Sequence, residues 1–204
     1  YLEGIDELIF IDAVASLYRR NNLYKIIERS VKNIFVPLTV GGGIRGLKDI
    51  EKALNSGADK IAVNSFATEN PKFISEAVKN FGSSTIISYI ETKQIKENKW
   101  EVYKYSGREK TGINLVDWVQ KVQDYGCGEI LLTPIDYEGT QKGFDLNILK
   151  IIYKLVNVPL IISGGCGKMI HIRELKKKFP DISVAIASAL HYKKLNISQI
   201  KEII

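Results

Sequence analysis

The chain has 204 residues, of which 45% are apolar and 25% charged, with a net charge of +6. This is the balance of a globular protein able to bury a full core, read as a single domain over 1–204. No apolar run is long enough to span a bilayer, which excludes a helical membrane protein.

The lysines are spread along the chain, and the densest run, Lys176–Lys178, falls on a helical pattern. That reads as a solvated helix face, with no nucleic-acid partner and no membrane partner, and the basic balance suits phosphorylated small molecules. Cys127 and Cys166 form no CxxC pair and no Cys/His cluster. Neither a disulfide framework nor a metal site is expected; reduced thiols in a cytoplasmic protein are, and no cofactor.

The opening Tyr1–Glu7 lacks an initiator Met and a signal-peptide pattern and reads as the end of a helix whose earlier part is missing. Apolar runs then alternate with helical periodicity. Strands are expected near Glu7–Asp12, Phe35–Val40, Lys60–Asn64, Thr85–Glu91, Glu129–Thr133, Leu160–Ser163 and Ser183–Ala187. Helices are expected near Leu23–Asn33, Leu47–Ser56, Pro71–Asn80, Asn114–Tyr125, Leu146–Leu155, Ile170–Lys178 and Ile197–Ile203. Near-continuous Ile, Val, Leu and Ala in each strand suit parallel strands covered by helices. Strict alternation predicts a parallel α/β fold, open or closed.

Polar and glycine residues gather where the strands end: Asp12, Gly41–Gly43, Asn64 and Ser65, Glu91, Thr133 with Asp136, Gly164 and Gly165, and Ser188. An open sheet concentrates its site at one switch point, whereas a (β/α)8 barrel draws on every strand, so a TIM barrel is expected. Seven strands after a truncated start imply a gap where the first strand belongs.

Two of these ends carry glycine turns, Gly41-Gly42-Gly43 and Gly164-Gly165 with Gly167. Each follows a strand and precedes a helix, so bare N–H groups and a helix amino end can face an anion. Two such turns suggest a ligand with a phosphate at each end. One loop is long: after Glu91, apolar–polar alternation around Glu97-Asn98 predicts a two-stranded excursion before Ser106-Gly107-Arg108. It is either functional or a variable surface hairpin.

The ordered set Pro37–Ile44, Gly57–Lys60, Ser106–Arg108 with Thr111-Gly112, Gly128–Thr133 and Ser163–Gly165 resembles the cyclase subunit of imidazole glycerol phosphate synthase, of histidine biosynthesis. The likeness covers essentially the whole chain. The related sugar isomerase of the same pathway shares the barrel and both glycine turns, but not usually the Gly-Glu-Ile-Leu-Leu-Thr strand or the Trp100 hairpin.

The resemblance implies a barrel that pairs with a glutaminase subunit. Ammonia released there crosses the barrel and reacts with a bisphosphorylated ribulosyl aminoimidazole precursor, giving imidazole glycerol phosphate and an aminoimidazole carboxamide ribotide. It implies one phosphate site at Gly43, Asn64 and Ser65, and another at Gly139, Thr140, Gly165, Ala187 and Ser188; Ser and Thr here also suit helix capping. Glu7, Lys60 and Glu129 match three of four charged residues around the ammonia entrance, and ordinary salt bridging would explain them as well. Asp59 matches a position at the glutaminase interface.

Two catalytic aspartates are also implied. One belongs to a strand absent from the chain, and the other aligns with Glu91, an acid one methylene longer. Tyr137 and Glu138 further alter the rim beside the second turn. These departures leave two alternatives: a paralogue passing ammonia to nucleotide-sugar amidation in surface-polysaccharide synthesis, or a non-catalytic barrel that activates a glutaminase.

Overall fold

Seven of the apolar runs form parallel strands that pair in chain order. A computed structural model describes residues 4–13 and 23–204. The barrel strands are β1 (Leu8–Ile11), β2 (Leu38–Gly41), β3 (Lys60–Val63), β4 (Ile86–Lys96), β7 (Glu129–Pro134), β8 (Leu160–Ser163) and β9 (Ser183–Ala185). Each neighbours the next in one sheet, from β1 to β9. Helices α1 (Leu23–Ser30), α2 (Leu47–Asn55), α4 (Lys72–Phe81), α5 (Leu115–Asp124), α6 (Leu146–Ile152), α7 (Met169–Lys178) and α9 (Ile197–Lys201) alternate with them. The result is the (β/α)8-type barrel architecture, with seven parallel strands among the described residues.

Among the described residues, β1 and β9 are the two ends of the strand path. Lys201 Nζ of α9 meets the Asp6 carboxylate at 2.7 Å, drawing those ends together. Gly4–Glu7 is irregular, and Tyr1–Glu3, part of the expected helix end, lies outside the described residues.

Alternation along each strand divides the apolar residues between two cores. Ile61, Val63, Ile86, Ile90, Ile130, Leu132, Leu160 and Ile162 face the helices and join the large core. Ala62, Ile87, Leu131 and Ile161 face inward and form a separate lumen cluster, packed by Ile9, Ile11, Tyr89 and Ala185. The same period puts Glu7, Lys60 and Glu129 two residues below Ile9, Ala62 and Leu131, at the amino ends. It puts Asn64, Glu91 and Thr133 at the opposite mouth.

Several expectations need adjusting. The strand expected from Phe35 begins at Leu38, because Pro37 has no N–H for a ladder and Leu38 N–H goes to Asp59 Oδ2 at 2.8 Å. Phe35 is left exposed. The strand expected to run to Ala187 ends at Ala185, and short helices α3 (Ser65–Glu69) and α8 (Ser188–His191) follow β3 and β9. The excursion is a three-stranded meander. β4 continues past the barrel to Lys96, turns at Asn98 with φ 54°, and pairs antiparallel with β5 (Lys99–Lys104). β5 in turn pairs with β6 (Glu109–Asn114).

Trp100 anchors this meander. Its side chain is buried and hydrogen-bonds to Asp145, whose carboxylate also accepts from Asn147 N–H and Ile148 N–H to cap α6. Among the described residues no helix is long and apolar enough to cross a membrane.

Candidate active site

The carboxyl-end mouth is built around one buried acid. Glu91 is 5% exposed and stands at the top of the inward face of β4. Its Oε2 accepts from Asn64 Nδ2 at 2.7 Å and from Gly107 N–H at 3.2 Å; its Oε1 accepts from Tyr89 O–H at 3.1 Å. Burial pushes its pKa up to about 7, against the pull of the Tyr89 hydrogen bond; the Glu138 charge adds to the rise, and the Gly107 and Asn64 donors oppose it. A carboxyl held there populates both protonation forms at neutral pH, as an acid–base group needs.

Around it a pocket is lined by Ile11, Asp12, Gly42, Gly43, Asn64, Ser65, Tyr89 and Ser106, among others. The first glycine turn therefore meets Asp12 and Glu91 in one cavity. The approach is close: at Gly42, with φ 95°, a Cβ would lie 2.3 Å from Asp12 O. Asn64 Oδ1 is buried and has no hydrogen-bond partner among the described residues. A buried acceptor left so costs about 1–3 kcal/mol, which a donor on a bound molecule would relieve.

The meander closes one side of this cavity. Tyr105 N–H donates to Ser65 Oγ at 2.9 Å, Ser106 Oγ donates to Ala13 O, and Gly107 reaches Glu91. Tyr105, Ser106 and Gly107 all have positive φ. Glu69 of α3 fastens the turn by accepting from Lys104 Nζ at 2.7 Å and Tyr105 O–H at 2.6 Å. Ser106 and Gly107 stand in the family-like run Ser106–Arg108 at the foot of the long hairpin, and the fold brings Gly107 onto the acid, a contact that the run alone does not signal.

The second glycine turn lies across the loop after β7. A Cβ on Gly165 would fall 1.9 Å from Gly143 O, and Gly143 N–H donates to Gly165 O at 2.8 Å. Gly164 packs against the backbone of Glu138. Gly139 and Thr140 form the exposed bend of that loop, where Thr140 Oγ1 donates to Tyr137 O at 2.8 Å. Ala187 and Ser188 open α8, and Lys194 just beyond it bonds Gln141 of the same loop. Thr133 is buried and hydrogen-bonds to Tyr89. Asp136, expected on the rim, points instead to the meander, accepting from Gln94 N–H at 3.1 Å, with Lys93 Nζ at 3.9 Å. Cys166 is buried, and burial pushes its thiol up to about 11, away from nucleophilic use.

At the amino end, Lys60 Nζ meets Glu7 at 2.8 Å and Glu129 at 2.6 Å. Burial pulls the ammonium down, but the hydrogen bonds it donates to Glu129 and Glu7 outweigh this and hold Lys60 above its ordinary value. The three residues so join β1, β3 and β7 beneath the apolar lumen. On the same side, Asp59 lies in a groove with Val31, Ile34, Phe35, Val36 and Gly57. Among the described residues no group of three or more His, Cys, Asp or Glu is arranged to hold a metal.

A family model described as "Histidine biosynthesis protein" matches residues 1–196. Curated relatives include an imidazole glycerol phosphate synthase subunit HisF from Legionella pneumophila, 50% identical over 83% of this chain and 80% of the relative. Others of the same name come from Hydrogenobaculum sp. strain Y04AAS1, 42% identical over 96% of this chain and 78% of the relative, and from Bacillus cereus strain Q1, 42% identical over 97% and 79%. With its barrel and its buried acid at the mouth, the chain belongs to the histidine biosynthesis protein family, as a relative of the HisF subunits of imidazole glycerol phosphate synthase.

Proposed function

We propose that the protein is a cyclase subunit of imidazole glycerol phosphate synthase. It adds glutamine-derived ammonia to a bisphosphorylated ribulosyl aminoimidazole precursor, giving imidazole glycerol phosphate and an aminoimidazole carboxamide ribotide. The observation that carries the reading is Glu91, a buried carboxyl raised to about 7 in the pocket that the first glycine turn lines. It takes a proton from the ammonia as its C–N bond forms and water leaves the ketone carbon, and returns a proton to the aminoimidazole nitrogen whose C–N bond breaks as the ring closes.

Gly43, Asn64 and Ser65 would hold one phosphate, and Gly139, Thr140, Gly165, Ala187 and Ser188 the other, through N–H and hydroxyl donors. Asp12 and Thr133 would border the reacting part of the substrate. Glu7, Lys60 and Glu129 form the ammonia entrance, and the lumen of Ala62, Ile87, Leu131 and Ile161 offers an uncharged molecule a path that repels ions. A glutaminase subunit docks at the amino face, where exposed Phe35 adjoins the Asp59 groove.

The experiment is Glu91→Gln. Ammonium-driven turnover falls at least about 100-fold while binding of the bisphosphate persists, since the phosphates supply most of the affinity. Unchanged turnover would remove Glu91 from the mechanism. The glutamate at this position also favours a second reading, amidation of a nucleotide sugar, under which Glu91→Asp fails to raise cyclase activity.

A further inference from the structure

Tyr89 is the group in the mouth that the reaction above leaves unused. It stands two residues before Glu91 on β4 and so shares its inward face. Its ring packs on the lumen cluster, while its phenol rises to the polar layer above. There it donates to Glu91 Oε1 at 3.1 Å and hydrogen-bonds to Thr133, which lies opposite Glu91 in the β4–β7 register. Glu91 Oε2 is engaged by Asn64 and Gly107. The carboxylate is thus held from both ends, and Tyr89 is the donor on the second oxygen.

We propose that Tyr89 is the positioning residue of Glu91, fixing Oε1 and favouring the charged form that accepts a proton. This rests on the acid–base reading of Glu91. Tyr89 does not itself titrate in the working range: burial, then the Glu91 and Glu138 charges, drive its pKa far above the ordinary phenol value. It remains a neutral donor. Among the described residues, the charge that acts on Glu91 is that of Glu138, from the loop after β7; Asp12, after β1, lines the same pocket. The Glu138 charge disfavours a second negative charge, so a hydrogen-bond donor helps keep the carboxylate accessible near neutral pH.

A half-buried tyrosine that only satisfies its hydroxyl would stabilise the fold without setting the titration of Glu91. The test separates the two roles. Tyr89→Phe keeps the ring volume and deletes the donor. The Glu91 carboxyl is titrated by carbon-13 NMR of glutamate-labelled protein, its signal assigned by its loss in Glu91→Gln. The midpoint in Tyr89→Phe is expected to rise by about one pH unit, the scale of one hydrogen bond to a charged group. The acid limb of ammonium-driven kcat moves up with it, while KM for the bisphosphate changes by less than about twofold. Glu138→Gln, which removes a like charge, moves the midpoint the other way. An unmoved midpoint in Tyr89→Phe overturns the proposal. If Glu91→Gln retains full turnover, the acid–base reading falls instead, and the NMR midpoint still decides Tyr89.

Discussion

Glu91 couples chemistry to stability at the scale of one residue. Its pKa is raised from 4.5 to about 7, so between those values the folded protein binds more protons than the unfolded chain. Stability therefore falls as pH rises through that window, by on the order of 3 kcal/mol in total. Glu91→Gln removes the titration. Its melting temperature should exceed that of the wild type at pH 8 and lose the advantage toward pH 4.5. Scanning calorimetry across that range checks the sign, and an advantage that grows on acidification would contradict it. The acid was visible in the sequence as a polar end to an apolar strand. Its companion was not: a tyrosine within Ile-Ile-Ser-Tyr-Ile reads as core, and only the i, i+2 spacing hints that it faces the same way.

At the scale of elements, the glycine turns make the sharpest demands. Gly165 has φ 91° and a backbone oxygen where a Cβ would go, whereas Gly139 has φ 70° and nothing within 4 Å. Gly165→Ala should cost more than about 3 kcal/mol, combining strain with a backbone clash, and Gly139→Ala about 1 kcal/mol from strain alone. Equal losses in denaturant melts would contradict that placement. The barrel strands and longer helices were legible because burial on both faces leaves near-continuous apolar runs. The helices α3 and α8, of five and four residues, were not, since they are too short to show a period. β6 was missed because Glu109–Asn114 alternates between exposed and half-buried positions and carries one apolar side chain. Asp136 shows the limit of position alone. It follows the right strand, but the meander captures its carboxylate.

Across the whole molecule, the barrel is polar at both ends and apolar between. Lys60 ties β1, β3 and β7 together at the base through two carboxylates. Lys60→Met would leave Glu7 and Glu129 facing each other without a cation and should cost about 2–4 kcal/mol. Adding Glu7→Gln and Glu129→Gln should restore most of it, and a triple variant no more stable than the single would refute the ring as a coupled unit. Far from this base, the mouth brings Asp12, the first glycine turn, Asn64 and Glu91 into one cavity, with the second glycine turn at the ends of β7 and β8. The central claim is that this mouth aminates and closes a bisphosphorylated substrate. The direct measurement mixes the protein with the ribulosyl aminoimidazole bisphosphate and ammonium and follows products by mass spectrometry. The account predicts imidazole glycerol phosphate and aminoimidazole carboxamide ribotide in equal amounts. Folded protein that leaves the bisphosphate unchanged, with ammonium or with a glutaminase and glutamine, would contradict it.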